Sequence, residues 1–156
     1  MALVRILVDG YSLLHNWPEL APGQPRHSAA ARDELIRQLT LYRDATGTPI
    51  TVFFDGSGTV QGPAEYHSTP EVEILFSRDG KTADDLIERA AHRFQPYGEV
   101  MAVTDDYAER DLVVSMGGLE SSCFNFIQTV ASALADQQHD IKQHNRRERN
   151  EFNRSP

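Results

Sequence analysis

Apolar residues fall along the chain in short runs separated by longer amphipathic stretches. Leu3 to Val8 (LVRILV) is a nearly continuous apolar run rich in β-branched residues, the pattern of a strand covered on both faces in a parallel sheet. Ile50 to Phe54, Val72 to Phe76 and Val100 to Val103 repeat the pattern and predict three more strands. After a loop marked by Pro18, Pro22, Gly23 and Pro25, Ser28 stands where a helix cap is needed. Leu35, Ile36, Leu39 and Tyr42 follow at helical spacing, and Gly47 and Pro49 close the helix. Ser57 to Thr69, with Gly58, Gly62 and Pro63, reads as a loop. Thr82-Ala83-Asp84-Asp85 has capping-box spacing with aspartate in the place of glutamate, and it opens a helix carrying Leu86, Ile87, Ala90, Ala91 and Phe94 on one face. Tyr107 to Met116 predicts a short helix, Gly117-Gly118 a turn and Leu119-Glu120 a brief fifth strand. Ser122 caps a last helix ending near Ala135.

Strands alternating with helices imply an α/β fold with a mostly parallel sheet of four to five strands and right-handed crossovers. A chain of 156 residues with ordinary apolar and charged content suits one domain, expected over residues 1–136. From Gln137 to Pro156 the sequence is polar, with Lys142, Arg146, Arg147, Arg149 and Arg154 against Asp140, Glu148 and Glu151. Its composition predicts a flexible tail. The single cysteine, Cys123, leaves no internal disulfide, and no run approaches the length needed to cross a bilayer. With no signal-peptide pattern at Met1 to Asp9, the expected location is the cytoplasm.

The predicted first, second and fourth strands all end in aspartate, at Asp9, Asp55 and Asp105-Asp106. In an open parallel sheet those carboxyl ends share one edge, where ligands bind, and the helix bearing Asp84 and Asp85 starts on the same edge. A single strand-end aspartate is more often a turn residue than a functional one; it is the convergence of several that points to chemistry. Clustered carboxylates repel unless a cation lies between them, and an all-oxygen set suits Mg²⁺ or Mn²⁺ rather than zinc. Such ions activate water and stabilise charge on a phosphoryl group, as phosphodiester hydrolysis requires. The net charge of −8 argues against a general nucleic-acid coat protein. It does not argue against a nuclease whose bound cations reverse the local field.

Four segments, Asp9-Gly10-Tyr11-Ser12, Val52-Phe53-Phe54-Asp55-Gly56, Gly80-Lys81-Thr82-Ala83-Asp84 with Leu86-Ile87-Glu88, and Val103-Thr104-Asp105-Asp106, resemble in order and spacing the YacP-like NYN domains. The resemblance spans roughly residues 1–136. It implies a PIN-like three-layer sandwich and endoribonuclease activity with Mg²⁺ or Mn²⁺. Carried over by position, it makes Asp9, Asp84 and Asp106 the metal-binding acids, with Asp55 supporting them. Two positions depart from the family pattern: Ser12 replaces the usual asparagine after Asp-Gly-Tyr, and Asp105 is an additional acid, read either as a further ligand or as a solvated turn residue.

Ser12 and Tyr11 in the first loop, and Arg78 and Lys81 before the Asp84 helix, are the candidates for RNA contact. For Arg78 and Lys81 the plainer reading is a solvated loop charge. Tyr11 and Trp17 are placed to stack on an unpaired base, although packing is the plainer role for Trp17. Two other readings compete with a nuclease. One is the same fold acting as an inactive RNA- or protein-binding module. The other is a phospho-accepting α/β domain, disfavoured because Asp9-Gly10-Tyr11 lacks the second aspartate of a phosphatase and no lysine ends the late strand. No glycine-rich nucleotide-binding motif follows any strand.

Overall fold

The computed structural model describes residues 3–55, 68–77 and 81–154, the last four as backbone alone. Five parallel strands, β1 (Leu3–Asp9), β2 (Ile50–Phe54), β3 (Val72–Phe76), β4 (Glu99–Val103) and β5 (Leu119–Ser121), form one sheet in the order β3-β2-β1-β4-β5. Among the described residues the α-helices are α1 (Gly10–His15), α2 (Ala29–Thr46), α3 (Ala83–Phe94), α4 (Tyr107–Ser115) and α5 (Cys123–Arg154). Most of the loop predicted over Ser57 to Thr69, and Arg78, lie outside the described residues.

The core lies in two slabs, one on each side of the sheet. Ile6 and Val8 of β1 pack with Leu35 and Leu39 of α2 and Phe126 and Val130 of α5, whereas Leu7, one residue out of phase, packs with Ile87 of α3 and Val113 of α4. Alternation along a strand sends neighbouring side chains to opposite faces, so a run such as LVRILV is apolar at every position but Arg5 because both faces are covered. The result is the expected three-layer α/β sandwich.

Local chemistry sets the helix starts. Ser28 accepts the Ala31 N–H at 3.2 Å and caps α2, while Gly47 closes it at φ 77°, a left-handed conformation that glycine adopts without strain. Both halves of the Thr82–Asp85 capping box form, at 3.3 and 3.0 Å. The short helix α1 lies where a loop was expected. It is nucleated by Asp9, whose side chain accepts the Ser12 N–H.

The last helix runs through Arg154 instead of ending near Ala135. No glycine or proline interrupts Cys123 to Arg154, and the added stretch is rich in Gln, Lys, Arg and Glu, which are good helix formers. Its 32 residues make a rod of roughly 48 Å. Its core-packed side chains among the described residues lie between Cys123 and Leu134, and every residue from Gln138 to Asn150 is exposed. Among the described residues no helix is long and apolar enough to cross a membrane.

Strand order places the functional edge. The chain winds outward from β1 through β2 to β3, then returns over α3 to β4 on the other side of β1. The reversal leaves a crevice between the carboxyl ends of β1 and β4, the usual ligand position in such sheets. Gly10, the first residue past β1, fits only without a side chain, since a Cβ there would lie 2.3 Å from the Phe54 ring and 3.0 Å from the Phe53 carbonyl oxygen.

Two outcomes follow. Gly10→Ala should destabilise the protein by about 1–3 kcal/mol through overpacking, read as a lowered midpoint in urea. Deletion of residues 137–156 should leave Tm within about 3 °C of the full chain, because Gln138 to Asn150 are all exposed; differential scanning fluorimetry reads this directly.

Candidate active site

The crevice has a volume of about 620 Å³, and five acids line it: Asp9, Asp55, Asp84, Asp106 and Glu109. Each arrives from a different constraint. Asp9 ends β1 and caps α1, its Oδ1 accepting the Ser12 N–H at 3.2 Å. Asp106 caps α4, its Oδ1 accepting the N–H groups of Ala108 (2.9 Å) and Glu109 (3.4 Å). Asp84 stands in the first turn of α3, where unpaired backbone N–H groups favour a negative charge. Glu109 lies in the first turn of α4 and is 3% exposed.

Asp84, Asp106 and Glu109 each offer one carboxylate oxygen such that all three lie within 4.8 Å of one another. Asp9 joins them through a hydrogen bond with Glu109. Sequence reasoning named Asp9, Asp84 and Asp106 and missed Glu109. Asp55 is exposed on the crevice wall and accepts the Ser77 hydroxyl at 3.0 Å, outside the three-acid group.

Thr104, 1% exposed, is the hub beneath the acids. Its hydroxyl stands 2.9 Å from Glu109 Oε1 and 3.4 Å from Asp9 Oδ2, and it accepts the Asp106 N–H at 3.0 Å. A hydroxyl has one proton to donate. The shorter contact makes Glu109 its main acceptor.

Asp105 is oriented differently from its neighbour. Its Oδ2 accepts from the Asn16 amide at 2.7 Å and its Oδ1 from the Cys123 N–H at 3.2 Å, so it ties α1 and the start of α5 to the β4 loop and is not brought into the acid group. Ser12 works from the other side of the same joint. Its hydroxyl accepts the Asp105 N–H at 3.0 Å and lies 3.4 Å from the buried thiol of Cys123, while the residue still borders the crevice. Tyr11 also lines the crevice. Lys81 lies in a separate shallow depression with Glu88, Arg89 and His92. Trp17 is half-buried against the α2 and α5 side of the core, in keeping with a packing role.

Burial and the nearby carboxyls of Asp9 and Asp84 push the Glu109 carboxyl up to about 10. Burial also raises Asp9, with the charge of Asp106 adding to it, while hydrogen bonds from Glu109, Ser12 and Thr104 pull the other way. Of the two, Glu109 holds the proton and donates it to Asp9. Burial raises the Cys123 thiol to about 12, which leaves it neutral and unreactive.

The donor set fits a hard divalent cation. An octahedral Mg²⁺ with bonds of about 2.1 Å spans ligand oxygens up to about 4.2 Å apart, so small side-chain rotations would bring Asp84, Asp106 and Glu109 onto one ion. Three carboxylates without sulfur or imidazole match Mg²⁺ or Mn²⁺ chemistry.

The raised Glu109 has a definite linkage sign. Its stabilising contribution is complete below the unfolded value near 4.5 and is lost as pH rises towards 10. In metal-free buffer Glu109→Gln should therefore gain in Tm over the parent between pH 5 and pH 9, by about 5 °C. A gap that does not change with pH would place the proton elsewhere.

Comparison with known proteins agrees with this fold. The family model described as the YacP-like NYN domain matches residues 6–155. The YacP protein of Bacillus subtilis is 30% identical over 126 residues, covering 80% of this chain and 74% of its own. The crystal structure of Rae1 (YacP) from Bacillus subtilis superposes with a TM-score of 0.77 at 26% identity, covering 95% of this chain and 84% of that one. Its W164L mutant gives 0.76 at 26% identity, over 92% and 84%. The chain belongs to the YacP-like NYN domain family, within the PIN-like nuclease superfamily.

Proposed function

We propose that this protein is a metal-dependent endoribonuclease that hydrolyses phosphodiester bonds in unpaired RNA. The observation that carries the reading is the meeting of Asp84, Asp106 and Glu109, with Asp9 bonded to Glu109, in an open crevice at the sheet's switch point. Bound there, Mg²⁺ or Mn²⁺ would supply a polarised water and positive charge for the phosphoryl oxygens. Asp84, Asp106 and Glu109 would hold the ion. Asp9 and Thr104 act through Glu109, fixing its carboxyl from beneath by hydrogen bonds.

Neither Cys123 nor Ser12 is placed to act as a nucleophile. Cys123 is fully buried with a neutral thiol, and the Ser12 hydroxyl is engaged with the Asp105 N–H. Water is then the attacking group, and the nearby carboxylates position it and receive its proton. The mutually repelling acids, with Glu109 buried among them, also weigh against the inactive-module reading, since repulsion at an otherwise idle site would be a cost without a return.

Mn²⁺-dependent cleavage of an unstructured oligoribonucleotide tests the proposal. Asp84→Asn and Asp106→Asn should each lower kcat by at least about 100-fold, and EDTA should abolish cleavage until Mn²⁺ is restored. Asp105→Asn should keep kcat within about threefold and act mainly on stability, by about 1 kcal/mol, through its lost ties to Asn16 and Cys123. Full activity in Asp84→Asn would remove the acid group from the reaction.

A further inference from the structure

A ladder of aromatic rings runs from the core to the crevice and ends on an exposed side chain. Phe76 stacks on Phe54 at 5.3 Å between centroids, Tyr11 meets Phe54 edge-on at 5.1 Å, and His27 covers Tyr11 at 4.4 Å with the rings tilted by 40°. His27 is exposed and borders the same crevice as the acids. With Tyr11 behind it, the residue is still exposed.

The end of the ladder is held in place. Arg32 donates from one guanidinium nitrogen to the Tyr11 hydroxyl at 3.2 Å and to the His27 carbonyl oxygen at 2.8 Å. The next residue, Ser28, caps α2 through the Ala31 N–H. A loop side chain would ordinarily lose rotamer freedom on binding, whereas a ring fixed in advance avoids much of that loss.

We propose that His27, backed by Tyr11, is a stacking platform for an unpaired nucleobase next to the phosphate held at the acid group. The inference rests on the nuclease reading above and specifies its substrate as RNA with an accessible base face. A base paired within a helix offers no free face to a ring on the crevice wall, while an unpaired base stacks on such a ring whatever its identity. The platform therefore selects for strandedness and is tolerant of sequence. It makes His27 a positioning residue that acts on substrate binding.

The test compares the full-length wild type, His27→Ala and His27→Phe in Mn²⁺-dependent cleavage of an unstructured oligoribonucleotide, beside the same oligonucleotide with one abasic nucleotide moved along the sequence. His27→Ala should raise KM by about tenfold or more with kcat changed less than about threefold, and His27→Phe, which keeps a ring and loses the nitrogens, should stay within about threefold of wild type. At one abasic position the wild type should lose the same factor, and His27→Ala should lose nothing further. An unchanged KM in His27→Ala overturns the platform while leaving the nuclease reading intact. So does a His27→Phe protein as weak as His27→Ala, which would assign the contact to hydrogen bonding. Absence of any RNA cleavage by the wild type would overturn both readings together.

Discussion

Carboxyl groups from β1, α3 and α4 are forced into one crevice, and their mutual repulsion is the constraint that the site is built around. Two unit charges 4.8 Å apart repel by roughly 3 kcal/mol at an effective dielectric of about 20, somewhat less where Asp106 meets solvent. A neutral hydrogen bond such as that from Thr104 returns about 1 kcal/mol. Local hydrogen bonds therefore do not balance the repulsion. Either a proton or a cation has to, and the raised Glu109 carboxyl is the proton solution. Replacing that proton by a divalent ion would turn the repelling acids into a ligand set.

The fold delivers this arrangement through winding direction. Because β1 has β2 on one side and β4 on the other, the turns after β1 and β4 diverge and leave an opening that the helix N-termini face. Asp9, Asp84 and Asp106 double as caps or first-turn residues, so the contacts that start each helix also aim each acid. Asp105 and Ser12 supply the stiffness one layer out, joining α1, the β4 loop and α5. In this chain serine takes the position after Asp-Gly-Tyr, and the backbone N–H of Asp105 is what its hydroxyl receives.

The sheet and three of the acids were legible in the sequence because their signals are local. A doubly covered strand is a short apolar run, and Asp9 and Asp106 each follow one; Thr82-Ala83-Asp84-Asp85 announces a helix start in four residues. Glu109 was not legible, since three residues beyond Asp106 it has the spacing of an ordinary capping residue, and only the three-dimensional packing shows it 3% exposed. The spacing Asp106-x-x-Glu109 was the available signal. The length of α5 was hidden for a different reason: its polar composition matches that of a disordered tail, while its individual residues favour helix. His27 carried no local signal, because the ring it packs on, Tyr11, belongs to α1 and meets it only when α1 and the start of α2 come together.

The central claim is that a single divalent cation relieves the repulsion between Asp84, Asp106 and Glu109. A crystal of the protein soaked in Mn²⁺ and measured for anomalous scattering tests it most directly. The account predicts one anomalous peak with an oxygen of each of these three carboxylates at about 2.1–2.2 Å. A peak held by Asp105 or Asp55 instead, or a Mn²⁺-soaked crystal with no peak in the crevice, would contradict it.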